Sequence, residues 1–313
     1  MENRRSPLLN RHGAVAAEAP DSGVAAHYGD PMREQRRLDA GEGFTDLSHR
    51  EVVRVSGPDR LPWLHVLTTQ HVENLAPHEA TEALILSPNG HIEYVMYLVD
   101  DGEATWMHVE PGTAAPITDY LEKMKFWKDV TVEDVTEQFA VVFEPVAEPH
   151  PEHLARVLPY GRDIFLPRPK LESYEGQPAG VWAYEALRIA AHRPRLGRET
   201  DHRTIVQEVD WVRSAVHLQK GCYRGQETVA RVHNLGKPPR RLVFLHLDGM
   251  EDHLPPHGTE VLLGDRKIGF VTSSARHFEL GPIALALVKR NTAADAVLTA
   301  DGVPATQDVI VPL

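Results

Sequence analysis

Lys220-Gly221-Cys222-Tyr223-Arg224-Gly225-Gln226-Glu227 holds the only cysteine of a 313-residue chain, fenced by two glycines and two cations. The run after it, Thr228 to Asn234, predicts a helix that Gly236 stops, with Pro238-Pro239 beyond. Cys222 is therefore expected at or just before a helix N-terminus, where unpaired N–H groups and the helix dipole favour negative charge. Lys220 and Arg224 act in the same direction. A thiol so placed is expected to ionise more readily than a free cysteine, and the thiolate is both nucleophile and metal ligand. The glycines let backbone or a ligand approach closely. A lone cysteine is more often a small buried hydrophobe, but a buried inert one does not call for charges two positions away on both sides.

At about 100–200 residues per domain, the length predicts two or three domains. With 42% apolar and 25% charged residues, the composition is that of an ordinary globular protein. A single cysteine excludes an intrachain disulfide. It also excludes any zinc or iron–sulfur site made from this chain's thiolates alone. It fits a reducing, cytoplasmic home. Arg4-Arg5 followed by Leu8-Leu9 resembles the start of a twin-arginine signal, but Asn10, Arg11 and His12 interrupt the apolar run. No stretch of 18 apolar residues suits a membrane span. The net charge of −12 is unevenly spread: Arg188 to Arg241 carries twelve Lys and Arg against five Asp and Glu. A basic segment around the cysteine of an acidic protein suggests an anion site, or else a solvated basic face. The acidic total argues against general nucleic-acid binding.

Along the chain, residues 1–30 show no periodicity and are expected to be a flexible tail. Val52–Val55 predicts a strand and Leu61–Gln70 a helix. Ala83–Leu86, His91–Val99 and Thr105–Val109 predict an antiparallel meander, its first turn being Ser87-Pro88-Asn89-Gly90. A helix is expected over Thr113–Trp127, strands around 130–135 and 139–143, and helices over His150–Leu158 and Gln177–Ala191. After Pro239 the chain changes character. Arg241–Leu247, Glu260–Leu263, Lys267–Thr272 and Ile283–Val288 predict a small all-β domain. Hairpins mixed with helices, without steady βαβ alternation, give an α+β class.

The eighteen histidines include His49, His65, His71, His78 and His91, which follow no recognised ligand spacing and are expected to be surface or satisfied groups. The chain has no G-x-S-x-G, P-loop or G-x-G-x-x-G. A Cys–His pair would need the fold to bring His217 or His233 to Cys222.

Lys220 to Glu227 resembles the K-G-C-Y-x-G-Q-E signature of the YgfZ family, folate-binding, iron–sulfur-assembly relatives of the glycine-cleavage T-protein. Gly57-Pro58-Asp59-Arg60 with Trp63-Leu64 is similar to the family's G-x-D-R-x-x-x-L segment. Leu86 to Gly90 is similar to the strand and turn before its central hairpin. Arg240-Arg241-Leu242 matches the opening of its C-terminal domain, and Gly269 to Ser273 a G-x-V-T-S hairpin. The resemblance spans roughly residues 45 to 313 and departs in two places. In T-proteins the central hairpin carries an acidic pair essential for aminomethyl transfer, where this chain has Glu93-Tyr94. The R-I-E-x-G-x-P segment, whose glutamate binds the pterin, reads Arg188-Ile189-Ala190-Ala191-His192-Arg193-Pro194. Ala190 cannot hydrogen-bond the pterin's donor edge, and Glu185, about one turn earlier, is the candidate substitute.

The resemblance implies a T-protein-like cloverleaf. Residues 31–238 would form two intertwined α+β lobes that bind folate, and 239–313 a C-terminal β-barrel. Tetrahydrofolate or a related folate is the implied cofactor, with Glu185, Arg188, Tyr223, Gln226, Glu227 and Arg231 as candidate binding residues. Cys222 is the expected working residue, held ionised by Lys220 and Arg224. Being alone, it would ligate iron only in a transient cluster shared with an iron–sulfur carrier or client protein. The implied function is an accessory role in iron–sulfur cluster assembly or repair without ordinary turnover. The rival is a tetrahydrofolate-dependent aminomethyl or one-carbon transferase. A third reading is a binding module whose cysteine is structural.

Overall fold

The computed structural model describes residues 4–236, 238–250 and 253–311. Its contacts group into two compact units. One comprises Met1–Leu84 and Tyr94–Tyr184, the other Ile85–Glu93 and Glu185–Leu313.

The first unit is built on two five-stranded sheets. In one, the strands Ala80–Leu86, Ile92–Asp100, Ala104–Val109, Glu51–Ser56 and Thr131–Asp134 lie in that order. The predicted meander is its first three strands, and the tip of the first hairpin, Ile85–Glu93, belongs to the second unit. In the other sheet the order is Ala155–Leu158, Gly161–Pro167, Phe139–Glu144, Phe44–Asp46 and Pro178–Ala179, with only the last pair parallel. Side chains alternate across a strand. Val141 and Phe143 accordingly enter a core with Val24, Leu47 and Val181, while Ala140 and Val142 enter another with Leu8, Phe44 and Ile164. This sheet is buried on both faces.

That double burial corrects the expected N-terminal tail. Leu8 is buried in one core and Val24 in the other. Ser6 donates its backbone N–H to the Gly23 carbonyl, and Val15–Ala16 pairs with Ala25–His27. A helix follows over Pro31–Asp39, with Asp30 accepting from the Arg33 N–H and proline at the first turn. The Glu34 carboxylate accepts from the N–H groups of Tyr28 and Gly180. Residues 4–30 lack periodicity because they cover the sheet with short pieces, a single 3-10 turn at Pro7–Asn10 and a two-stranded ribbon. The expected helix at His150–Leu158 is also corrected. Ala155–Leu158 is a strand in register with Gly161–Ile164, so ladder pairing across the Pro159-Tyr160 turn overrides the local pattern.

In the second unit, Arg240–Leu247, Gly281–Lys289, Arg266–His277, Glu260–Leu263, Leu298–Ala300 and Val303–Val309 close into a six-stranded barrel. Its core takes Val243, Leu245, Val261, Val271, Ala286 and Val303. The expected boundary at 238/239 marks the start of the barrel but not of the compact unit. Residues 185–238 group with the barrel, to which Arg188 and Glu199 bond directly. This unit also holds the helices Trp211–Ser214 and Gln226–Leu235. The chain is α+β with a closed barrel, as expected. Among the described residues, no helix is long and apolar enough to cross a membrane.

Candidate functional site

The helix after the cysteine motif starts at Gln226, one turn's length beyond Cys222, with Gly225 as N-cap in the left-handed region at φ 82°. Among the described residues, no side chain caps it. Glu227 lies exposed in the first turn, the favourable end of the dipole for a carboxylate. Gln226 reaches back towards the Lys220 carbonyl at 3.5 Å, and its backbone N–H donates to the Tyr223 carbonyl at 3.2 Å. These contacts fold Lys220–Gln226 into a loop.

Gly225 and Gly90 show what the loop is folded against. A Cβ on Gly225 would lie 2.7 Å from the Ser87 carbonyl oxygen and 2.9 Å from Gly90 Cα, and one on Gly90 2.7 Å from Thr228 Cβ. The tip of the central hairpin thus rests directly on the start of the helix. That tip is a tight turn, with Ser87 donating to the His91 carbonyl and Gly90 to Ser87. Ile92 donates to the Thr204 carbonyl, fixing the hairpin from the other side. Gly221, by contrast, has open space around it. Of the two glycines flanking the cysteine, only Gly225 serves a close approach.

Both cations beside the cysteine have partners in this arrangement. Lys220 is buried, with its ammonium 5.4 Å from the centroid of the buried Tyr223 ring. Burial pushes the Tyr223 phenol up to about 12, so the ring stays neutral. Arg224 donates to both oxygens of Glu93 at 3.2 and 3.5 Å. The Arg224 charge expected to act on the thiol is therefore also answered by a carboxylate. Cys222 itself is exposed. Arg231, His217 and His233 are exposed as well. The sequence marked Glu93 only as what remains of an acidic pair. Its role as the partner of Arg224 depends on hairpin tip and motif meeting, 131 residues apart.

The residues expected around a pterin form a different arrangement. Arg188 lies on the helix Val181–Ala190, its side chain 2% exposed. It donates to Glu185 Oε2 at 2.8 and 3.0 Å, Glu199 Oε2 at 3.0 Å and Ser273 Oγ at 2.9 Å. Arg195 takes the other oxygen of Glu185 at 2.9 Å. Glu199, fully buried, also accepts from Thr272 and Ser273 in the barrel. Farther on, Arg240 holds Glu208 through two nitrogens at 2.8 and 2.9 Å, and Asp201 at 2.6 Å. Asp201, partly buried, is held below the usual carboxylate range by Arg240 and by backbone donation. Arg241 is buried on the Thr292 carbonyl and Arg213 pairs with Asp210. Arg188, Arg195, Arg213, Arg224 and Arg240 of the basic segment are thus closed on carboxylates of this unit as an ionic framework. Glu199, which completes it, carried no sequence signal.

The first unit has its own buried charge cluster. His108 donates from Nε2 to Asp163 at 3.0 Å, and Arg156 pairs with the same carboxylate oxygen at 3.0 Å. The other imidazole nitrogen faces Arg50 Nη1 at 3.4 Å. A nitrogen opposed by a guanidinium must accept, which selects the neutral ring. Burial pushes His108 down to about 4, while Asp163, despite its own burial, is held ionised by His108, Arg156 and Arg50. Tyr97 stacks on His108 with centroids 4.8 Å apart. The sequence offered no sign of this cluster, whose members come from four separate strands and loops.

A mixed α+β chain with a closed barrel and a lone cysteine motif beneath a hairpin tip is the class these observations define. Residues 240–305 match the family description of the glycine cleavage T-protein C-terminal barrel domain. The chain is 28% identical over 323 residues to an Arabidopsis thaliana protein provisionally named a chloroplastic transferase, covering 88% of this chain and 73% of that one. It is 24% identical to the aminomethyltransferase of Thermotoga maritima, over 92% of this chain and 90% of the relative. The crystal structure of the glycine cleavage system aminomethyltransferase T from Bartonella henselae superposes with a TM-score of 0.82 at 17% identity, covering 98% and 97% of the two chains. The chain is accordingly glycine-cleavage T-protein-like, with an aminomethyltransferase-like fold.

Proposed function

We propose that this T-protein-like protein is an accessory factor for iron–sulfur cluster assembly or repair that works through Cys222 with a partner. The observation carrying this reading is an exposed thiol on a loop that Tyr223, Gly225 and Glu93 hold from within. Loops positioned by a rigid scaffold are where binding residues concentrate. A single thiolate cannot satisfy a cluster, so the cluster is cargo whose other ligands belong to an iron–sulfur carrier or client protein. A thiol kept free suits the reducing cytoplasm.

A reduced folate is the ligand class that the relatives suggest. Ala190 offers no acceptor, and Glu185 holds Arg188 and Arg195 on a carboxylate with about four acceptor sites. Calorimetric titration with tetrahydrofolate at low salt is expected to give weak, salt-sensitive heat. No heat at millimolar ligand removes folate from the proposal.

The decisive test is genetic. In a strain lacking the protein, wild type restores cluster-dependent enzyme activity under oxidative stress, whereas Cys222→Ser, which keeps size but is no thiolate at neutral pH, does not. Full restoration by Cys222→Ser would end the thiol reading. One observation favours aminomethyl transfer instead: the Glu93 carboxylate stands at the hairpin that carries the acidic pair in T-proteins. Turnover of an aminomethylated carrier with tetrahydrofolate above about one per second would promote that reading.

A further inference from the structure

We infer a divalent-metal site, of the chemistry that takes zinc, at His65, His71 and Glu73 in the first unit. One ligand atom from each of the three lies within 4.8 Å of the others. This is independent of the reading of Cys222.

The chain builds the cluster from two elements. His65 sits in the last turn of the helix Arg60–Leu67. Thr68 closes that helix, its N–H and hydroxyl both donating to the Leu64 carbonyl. Thr69 is then tied to the sheet: its N–H donates to the Leu84 carbonyl at 3.0 Å and its hydroxyl accepts from the Leu84 N–H at 2.9 Å. Three residues on, Val72 is 1% exposed, with Leu75 buried behind it. The segment between the helix and Leu75 is pinned at Thr69 and again at Val72. His71 and Glu73 flank the inward-facing Val72 and both face solvent. The rings of His65 and His71 meet edge to face with centroids 4.6 Å apart.

Two imidazoles and one carboxylate match a common zinc donor set, with bond lengths of about 2.0–2.2 Å and a fourth position left to water. Tetrahedral ligands at those lengths stand about 3.4 Å apart, so the three atoms need only draw in by an ångström or so. The exposed side chains of His71 and Glu73 can supply that by rotamer adjustment. The site also lies at the carbonyl end of the helix, where the dipole favours a cation. Bound metal would tie the end of this helix to the following loop. The sequence treated His65 and His71 as scattered because their spacing follows no recognised pattern. The Thr69 pin, which brings the chain back under the helix end, is what joins them.

The test uses the full-length protein, stripped with chelator and titrated with Zn²⁺ against a chromophoric competitor. The expected result is one equivalent bound at micromolar or tighter affinity and a rise in melting temperature. His71→Ala and Glu73→Gln should each weaken binding at least about tenfold. Both positions are exposed, so both variants should melt like wild type in chelator, and either one reads the site if the other misfolds. Cys222→Ser should bind Zn²⁺ like wild type. Two results would overturn the site. One is the absence of saturable binding tighter than about 100 μM. The other is binding that survives both His71→Ala and Glu73→Gln.

Discussion

Two stretches of the second unit are rich in cations, and the fold uses them in opposite ways. Around Arg188 the charges are buried and closed on one another: a guanidinium 2% exposed meets a glutamate with no exposure, and hydroxyls from the barrel complete the set. Around Cys222 one cation, Lys220, is buried against Tyr223, and the other stays at the surface. Arg224 and Glu93 are each about a third exposed, and the thiol between the two cations is exposed. In sequence both are simply basic. A charge can leave water only where its partners are already in place. The first stretch is therefore closed on itself, whereas the second leaves its thiol at the surface.

The largest effect should come from breaking the closed network. Arg188→Ala leaves Glu199 buried without its guanidinium, and removing one partner of a buried pair costs about 3–5 kcal/mol. Urea unfolding should show a large fall in midpoint, partly recovered by adding Glu199→Gln. A cost below about 1 kcal/mol would show that the network is looser than its geometry.

The His108 cluster extends the comparison to the first unit and can be loaded with protons instead of cut. Burial pushes His108 down to about 4 in the fold, against the ordinary imidazole value of about 6.5 in an unfolded chain. Between those values the unfolded state binds more protons, so stability is fully present above about pH 6.5 and is lost as pH falls towards 4, by up to about 3 kcal/mol. Unfolding midpoints measured across this window should fall in wild type and stay flatter in His108→Gln. Equal slopes would mean that the imidazole is not held neutral.

The two glycines of the motif should separate by a smaller margin. Gly225→Ala meets the Ser87 carbonyl at 2.7 Å at a positive φ, a strain of about 1–3 kcal/mol. Gly221→Ala has open space and no positive φ, and should fall within about 0.5 kcal/mol of wild type. Similar costs at both positions would deny that the hairpin tip rests on Gly225.

Smallest in stability is the surface pair. Glu93→Gln should cost less than about 1 kcal/mol, because both partners are wetted. It should nevertheless raise the alkylation rate of Cys222 at neutral pH by freeing the Arg224 charge. An unchanged rate would mean that the pair holds the loop and does not touch the thiol's chemistry.

What the sequence determined by itself was whatever is local or periodic. The meander's alternation, the helix at Ala114–Lys123, the barrel strands from Arg240 onward and the stop at Gly236 all follow from patterns within a dozen residues. The motif around Cys222 was legible for the same reason: its residue types are unusual together. Only the tertiary structure decided the surroundings of residues 4–30, Glu93, Glu199 and His108, and brought His65 against His71. The N-terminal segment has only short elements and is ordered because a two-faced sheet needs cover. Glu93 meaningfully joins the motif only once a hairpin tip lands on Gly225. An isolated charge or imidazole has no period, and its partner, set by chain crossings tens of residues away, determines whether it is solvated, neutralised or placed to bind.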